Sequence, residues 1–139
     1  MTRRESRKAA FSLVFQLPVN ELSYGELLDI SSEDEEIVLD DFCLEIVKNT
    51  VDCLLQIDEE IKPHLKKWTI NRLPMVSLAI LRISCAQLMY MTDLPDSVVI
   101  NEAVELAKEF GNDDEYAFVN GTLRSINNSL KGITAVEQD

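Results

Sequence analysis

The sequence predicts an all-α protein, built as a single-domain bundle of about seven helices. The chain of 139 residues contains only 4 Gly and 4 Pro, which is few for short strands joined by turns. Apolar residues recur at spacings of three and four in successive segments, which is the helical period. With 46% hydrophobic residues a packed core is expected. We predict one domain over residues 1–132 and a frayed tail at 133–139.

The first helix is predicted to begin after Thr2 and to continue to about Leu17. Thr2 and Glu5 have the spacing of a capping box, in which each side chain accepts a hydrogen bond from the other residue's backbone N–H. Pro18 then ends the helix, because proline has no N–H to donate and its ring obstructs the preceding turn.

Charge is distributed unevenly along the chain. The formal net charge is −12, yet the first 20 residues hold four cations against one acid, and residues 21–41 hold nine acids and no Lys or Arg. This distribution excludes a wholly basic RNA-binding surface and points to a localised anion-binding patch at the N-terminus. The four cations also repel one another at i,i+4 spacing, which an anionic partner would relieve. An ordinary solvated helix start is the alternative.

Three further helices are predicted between residues 19 and 65. A short helix spans about Leu22–Leu28 and is followed by an acidic loop. Ser31 or Ser32 is predicted to cap a long helix, with acids in its first turn, that runs to Leu54. A short helix then carries three apolar residues on one face: Ile57, Ile61 and Leu65.

The segment from residue 75 to residue 91 is apolar on almost every side, which predicts the central buried helix of the bundle. Arg82 is its only full charge, and it must either reach the surface or be paired. The following helix is predicted to end at Gly111, and Asp113 or Asp114 is predicted to cap the last helix.

The last helix contains Asn120-Gly121, a dipeptide that commonly forms hairpin turns. The apolar residues around it nevertheless keep helical spacing: Val119, Leu123, Ile126 and Leu130. The dipeptide is therefore predicted to lie inside the helix, where glycine costs about 1 kcal/mol relative to alanine. We interpret Gly121 as a site where a neighbouring helix or a ligand approaches closely.

Several chemistries are disfavoured by the sequence. Cys43, Cys53, Cys85 and the single His64 are too scattered for a zinc site or a disulfide framework, so we expect three buried thiols and no cofactor. No apolar run is long enough to span a membrane, and the basic start lacks a signal cleavage site, so we expect a cytoplasmic protein. The sequence offers no catalytic constellation, so we predict no enzyme.

Four segments occur in order along the chain: RRESRKAAFSLVFQ, AILRISCAQL, INEAVELAKEFG and FVNGTL. Together they closely resemble the NusB family of bacterial transcription antitermination factors. The resemblance implies two stacked helical subdomains. It also implies binding of boxA RNA together with NusE, a small-subunit ribosomal protein, in an antitermination complex with RNA polymerase, chiefly on ribosomal RNA operons. The family includes monomers and dimers, so a homodimer stays open.

The resemblance further implies which residues bind RNA. They are basic and aromatic residues of the first helix with two residues of the FVNG motif: Arg3, Arg4, Arg7, Lys8, Phe15, Phe118 and Asn120. Arginine offers a planar fork to phosphates, and aromatic rings stack on unpaired bases. The alternative for both rings is core packing, and we favour it for Phe15, because phenylalanine lacks the hydroxyl of the tyrosine that is common at this family position.

The sequence departs from the family pattern at two places that often carry lysine. Ala117 precedes FVNG, and Asp96 and Ser97 follow the loop proline. The missing cations predict weak, salt-sensitive RNA binding by the chain alone and a dependence on NusE. The alternative is a helical protein-interaction module that binds NusE with little intrinsic RNA affinity. A NusB-like domain of a ribosomal RNA methyltransferase is a third reading, disfavoured because the chain has no catalytic cysteine motif.

Overall fold

A computed structural model describes residues 1–17, 23–31 and 39–132 of the chain. Within these ranges it contains seven α-helices, two single 3₁₀ turns and no strand, which confirms the all-α prediction. The helices are α1 (Arg3–Val14), α2 (Tyr24–Ser31), α3 (Asp41–Asp52), α4 (Leu54–Ile61), α5 (Met75–Tyr90), α6 (Asp96–Phe110) and α7 (Asp113–Leu130). The 3₁₀ turns are Lys62–His64 and Ile70–Arg72.

The helices form two subdomains that share α5. Helices α1 to α4 pack together, while α6 and α7 pack on each other and on α5. Helix α5 also contacts α1, α3 and α4, and its buried residues run from Ser77 to Leu88 around the helix. The central position that the apolar sequence predicts for this segment is therefore confirmed. No helix in the described ranges has the length and apolar character needed to cross a membrane.

The single charge of α5 is paired, which is one of the two alternatives that the sequence left open. The Arg82 guanidinium donates to both carboxylate oxygens of Asp58 on α4, with Nε–Oδ1 at 3.0 Å and Nη2–Oδ2 at 2.9 Å. Both side chains are largely buried. This two-bond geometry ties α4 to the centre of the bundle while satisfying a charge that burial would otherwise destabilise.

The start of α1 follows the prediction, whereas its end does not. Thr2 and Glu5 form the predicted capping box, with the Glu5 N–H donating to the Thr2 hydroxyl at 3.1 Å. The helix ends at Val14, three residues before the predicted Leu17. Pro18 lies outside the described residues.

The second helix begins and ends later than the sequence indicates. Ser23 and Glu26 exchange hydrogen bonds at its start, with the Glu26 N–H donating to the Ser23 hydroxyl at 3.1 Å. Ser31 is the last residue of α2, so the prediction that it caps the next helix is wrong. The other predicted cap, Ser32, lies outside the described residues.

Asp40 caps α3 and fixes it against α1. Its Oδ1 accepts the Cys43 N–H at 2.9 Å, and its Oδ2 accepts the Ser6 hydroxyl of α1 at 2.6 Å. These two donors, the Ser6 hydroxyl first, hold the pKa of Asp40 below its usual range. The long helix predicted to reach Leu54 is broken at Cys53, whose backbone (φ −114°, ψ 24°) separates α3 from α4.

The cap of α7 lies one residue earlier than predicted. Asn112 accepts the Glu115 N–H at 2.9 Å through its side-chain oxygen, whereas Asp113 and Asp114 form the first turn of the helix. Their carboxylates still favour this end, because the helix dipole is positive there.

Gly111 ends α6 as predicted, but in an extended conformation (φ −107°, ψ −167°). A Cβ atom at this position would lie 2.9 Å from the carbonyl oxygen of Ala107 and 2.7 Å from Oε2 of Glu115. Crowding against the backbone, rather than a left-handed conformation, is therefore what requires glycine.

Candidate nucleic-acid interface

Four of the seven predicted RNA-binding residues line two concave surfaces, whereas Arg3, Phe15 and Asn120 line neither. One, the α1–α6 cleft, has a volume of about 270 Å³ and is lined by Arg4, Arg7, Lys8, Glu102, Glu105, Leu106, Lys108 and Glu109. The other, the Trp68 groove, has a volume of about 410 Å³ and is lined by Pro63, His64, Lys66, Lys67, Trp68, Ala117, Phe118, Gly121, Thr122 and Ser125. The fold thus does not gather the seven predicted residues into one pocket.

In the α1–α6 cleft, carboxylates of α6 already pair with two of the cations. Arg4 donates to Glu102 through Nε (3.0 Å to Oε2) and Nη2 (3.1 Å to Oε1), although its own side chain is 67% exposed. The hydrogen bond to Glu102 raises the pKa of Arg4 further. Lys8 forms an ion pair with Glu109. The repulsion between Arg4 and Lys8 is therefore relieved inside the molecule, whereas the charge of Arg3 still disfavours the charged form of Arg7.

Arg7 is buried rather than displayed, with only 3% of its surface exposed. Its Nε donates to Oε1 of Gln87 on α5 at 2.8 Å, and its guanidinium carbon lies 5.1 Å from the ring centroid of Phe42. The Nη2 atom has no hydrogen-bond partner among the described residues. Burial lowers the pKa of Arg7. These contacts make Arg7 a packing residue that joins α1 to α3 and α5.

Arg3 and Phe15 remain accessible at the two ends of α1. The Arg3 guanidinium lies over the Phe42 ring at 4.5 Å from its centroid, and no carboxylate of the described residues pairs with it. Phe15 is 37% exposed, and its ring centroid lies 5.8 Å from that of Phe11. Phe11 in turn stacks on Phe110 of α6 at 4.9 Å. Phe15 is thus one exposed end of an aromatic row, with Phe110 at the other, and the interpretation of Phe15 as a core residue is wrong.

The FVNG motif is helical, which confirms the prediction made from apolar spacing. Phe118, Gly121 and Ser125 lie on one face of α7 and line the Trp68 groove. A Cβ atom on Gly121 would meet no atom within 4 Å, so the prediction that a neighbouring helix approaches it closely is wrong. Asn120 is half-buried, and its side-chain oxygen accepts Nε of Arg124 at 3.0 Å.

The opposite wall of the Trp68 groove is formed by residues that the sequence analysis did not single out. Lys66 and Lys67 are exposed, and the Trp68 side chain that follows is 48% exposed. His64 Nδ1 lies 2.7 Å from the Ser125 hydroxyl, which joins this segment to α7. Burial lowers the pKa of His64, so the ring is neutral at pH 7. The sequence pattern Lys-Lys-Trp could have indicated this surface, since cations beside an exposed aromatic residue are typical of nucleic-acid binding.

The two departures from the family pattern have different surroundings. Asp96 accepts Nδ2 of Asn127 at 3.3 Å and pairs with Lys131, whose hydrogen bond lowers the pKa of the carboxyl. Its charge is therefore balanced within the protein. Ala117 is exposed in the Trp68 groove, where it adds no charge.

The cysteines are free thiols and provide no site. Cys43 and Cys85 are buried as predicted, whereas Cys53 is half-buried. Burial raises the pKa of Cys43 to about 12 and raises that of Cys85 as well, so both are protonated. Among the described residues no group of three His, Cys, Asp or Glu side chains is placed to hold a metal ion.

Comparison with known proteins places this arrangement in a family. The model of the NusB family matches residues 4–128. The chain is 40% identical over 126 residues to the transcription antitermination protein NusB of Oceanobacillus iheyensis, covering 91% of this chain and 98% of the relative. It is 41% identical over 129 residues to the protein of the same name from Staphylococcus epidermidis, covering 91% and 99%.

Solved structures give the same result for the fold. A chain in the structure of the antitermination factors NusB and NusE in complex with double-stranded RNA superposes with a TM-score of 0.79 at 27% identity, covering 91% of this chain and 96% of that one. The structure of T. maritima NusB superposes with a TM-score of 0.76 at 31% identity, covering 99% and 96%.

Proposed function

Because the chain belongs to the NusB family, we propose that it is an RNA-binding transcription antitermination factor that binds boxA RNA together with NusE. The family match over nearly the whole chain carries this proposal. A structural neighbour that combines NusB, NusE and RNA supports it. A factor of this kind acts by binding and is not an enzyme.

The residues that we assign to RNA contacts differ in their solvent accessibility and in the partners that they already have. Arg3 and Phe15 are accessible as they stand, the first for phosphates and the second for a base. Phe118 and Asn120 contribute from α7. Arg7 contributes mainly by holding α1 in place, because it is buried against Gln87 and Phe42.

Arg4 and Lys8 bind phosphate only in exchange for their present partners. Exposed ion pairs are weak and are readily replaced, but Glu102 and Glu109 then remain beside the phosphates. The resulting repulsion, together with a net charge of −12, accounts for weak and salt-sensitive binding by the chain alone. NusE would supply the additional contact surface that makes the complex stable.

The same proposal places the chain in the cytoplasm, in the antitermination complex that includes RNA polymerase. Transcription takes place there, and a factor that binds nascent RNA must meet it near the polymerase. Light scattering on the free chain and on its NusE complex would reveal a homodimer directly.

Gel shifts with boxA RNA, with and without NusE, at 50 and 200 mM salt test the proposal, with scrambled RNA as the control. We expect a weak shift by the chain alone that is lost at the higher salt, and a strong, sequence-dependent shift with NusE. No shift in any of these conditions would overturn the RNA-binding function.

The second candidate is a protein-interaction module that binds NusE with little RNA affinity. The observation that favours it is that Arg4 and Lys8 are already neutralised by α6. A stable complex with NusE that gives no boxA shift would select this candidate over the first.

A further inference from the structure

Two of the cations that lack a carboxylate partner, Lys66 and Lys67, line the Trp68 groove. Within the described residues, seven of the 13 Lys and Arg side chains form ion pairs with Asp or Glu. Of the remaining six, Arg7 is buried and Arg3 lies over an aromatic ring. The other four lie in residues 66–72 or on α7: Lys66, Lys67, Arg72 and Arg124. No described carboxylate lines the Trp68 groove, whereas three carboxylates line the α1–α6 cleft.

An aromatic face accompanies this charge. Trp68, the only tryptophan of the chain, is 48% exposed at the groove, and the half-buried Phe118 ring lines the facing wall. Gly121, which also lines the groove, adds no side chain on α7, and a Cβ there would meet no other atom within 4 Å. The groove therefore has room for a flat group against the indole.

The groove is held in shape before any ligand arrives. His64 and Ser125 join its two walls at 2.7 Å. Leu65, directly before the two lysines, packs against the core, as does Phe118. A site whose walls are already ordered loses less conformational entropy when it binds.

We propose that the Trp68 groove binds a nucleotide of single-stranded RNA, with its base stacked on Trp68 and its flanking phosphates on Lys66 and Lys67. This inference rests on the proposed function and adds to it a base-stacking residue and two phosphate ligands. An acidic peptide could pair with the lysines, but it would not stack on the indole face or fill the open space at Gly121. Because every base has a π face, the groove adds affinity for a nucleotide without reading its identity.

The single tryptophan makes the test direct. Trp68 fluorescence is followed while boxA RNA, or the same RNA with a single-stranded extension, is titrated into the chain and its NusE complex. We expect RNA to quench Trp68. Replacing the indole (Trp68→Ala) should weaken RNA binding by roughly 5- to 100-fold, as expected for the loss of one stacked base, whereas Trp68→Phe should retain most of it.

The lysines are tested by the salt dependence of binding. The double variant Lys66→Gln/Lys67→Gln should reduce the slope of log K against log salt by about 1.4, since each single-strand phosphate contact contributes roughly 0.7. The matched control, Lys48→Gln/Lys62→Gln, removes the same charge from two lysines that do not line the groove and should leave the slope nearly unchanged.

Each outcome distinguishes this inference from the proposed function. RNA that still shifts the protein but neither quenches Trp68 nor loses affinity for Trp68→Ala would overturn the groove and leave the function intact. No RNA binding, even with NusE, would overturn both. Quenching by NusE without RNA, with NusE binding lost in Trp68→Phe, would make the groove a protein contact and also overturn the inference.

Discussion

The basic start of α1 and the Lys66–Trp68 segment carry cations at similar density but have different surroundings. Arg4 and Lys8 are paired with acids of α6, and Arg7 is buried beneath them. Lys66 and Lys67 face solvent with no carboxylate partner in the described part of the chain. The segment with more cations in the sequence thus presents less unbalanced charge on the surface.

The difference shows that local charge density does not measure what a surface can bind. The acid that neutralises Arg4 lies 98 residues away in sequence, on a helix that packs beside α1. In the folded protein, part of a basic sequence motif therefore forms intramolecular ion pairs on the surface. Substitutions in one segment at a time test whether pairing and burial cause the difference between the two.

The largest effect is expected from Arg7→Ala, which should destabilise the fold by about 1–3 kcal/mol. The substitution removes the packed side chain and leaves Oε1 of Gln87 without its buried donor. Chemical denaturation measures the loss. The sequence alone, which treats Arg7 as a surface cation, predicts almost no change.

Two controls separate packing from charge at this position. Arg7→Met retains much of the volume and removes a desolvated cation, so it should cost less than Arg7→Ala. Arg3→Ala removes an accessible arginine and should change the stability by less than about 1 kcal/mol. Equal stability of all three variants would show that Arg7 is not held as the structure indicates.

The next effect is on affinity, through the acids of the α1–α6 cleft. The double variant Glu102→Gln/Glu109→Gln frees Arg4 and Lys8 and should raise boxA affinity roughly 3- to 10-fold at low salt, with a steeper salt dependence. Gel shifts with NusE at several salt concentrations measure it.

The matched control for this change is Glu45→Gln/Asp52→Asn, which alters the net charge equally on α3. It should raise affinity much less, because those acids do not line the cleft. If both double variants bind RNA alike, net charge rather than the α6 acids limits binding.

A smaller effect, on stability and on RNA affinity, is expected from a substitution in the Trp68 groove. Gly121→Ala should stabilise the fold by about 0.5–1 kcal/mol, because alanine favours the helix and its Cβ meets no neighbour. It should also weaken RNA binding by roughly 2-fold by narrowing the Trp68 groove. Gly111→Ala, which is crowded by backbone, should instead destabilise. If Gly121→Ala stabilises the fold and leaves RNA affinity unchanged, the surface at Gly121 is not part of the RNA-binding site.

The smallest expected effect is a loss of stability at acidic pH, at the contact between Asp40 and α1. The pKa of Asp40 is lower in the fold than its unfolded value of 3.8, because the Ser6 hydroxyl and the Cys43 N–H bond to its charged form. Its contribution to stability is therefore complete above the unfolded pKa and is lost as pH falls through the folded pKa.

Thermal melts between pH 2 and 7 test this contribution. Asp40→Asn should be less stable than the parent chain at pH 7, and the difference should shrink below about pH 4. Asp96→Asn serves as a comparison, since Lys131 lowers that pKa in the same direction on the opposite subdomain. A difference that does not change with pH would exclude ionised Asp40 as the clamp between α1 and α3.

Much of the fold was accessible from the sequence. The apolar character of the segment identified α5 as the centre, and helical spacing kept FVNG inside α7. The sequence also required Arg82 either to be paired or to reach the surface. The cap of α3 was missed because Asp40 is fixed by a contact with Ser6, which lies 34 residues earlier in the sequence. The residues of the N-terminal patch were recognisable, but their burial and pairing were not.

Most helices and the family could be inferred from the amino-acid sequence, because backbone hydrogen bonds and apolar faces repeat within a few residues along the chain. Which cations are free depends on the tertiary structure. Ion pairing and burial depend on side chains that folding brings together from distant helices, as Gln87 meets Arg7 across 80 residues. That is why the Lys66–Trp68 segment, unremarkable in sequence, presents the more accessible positive surface.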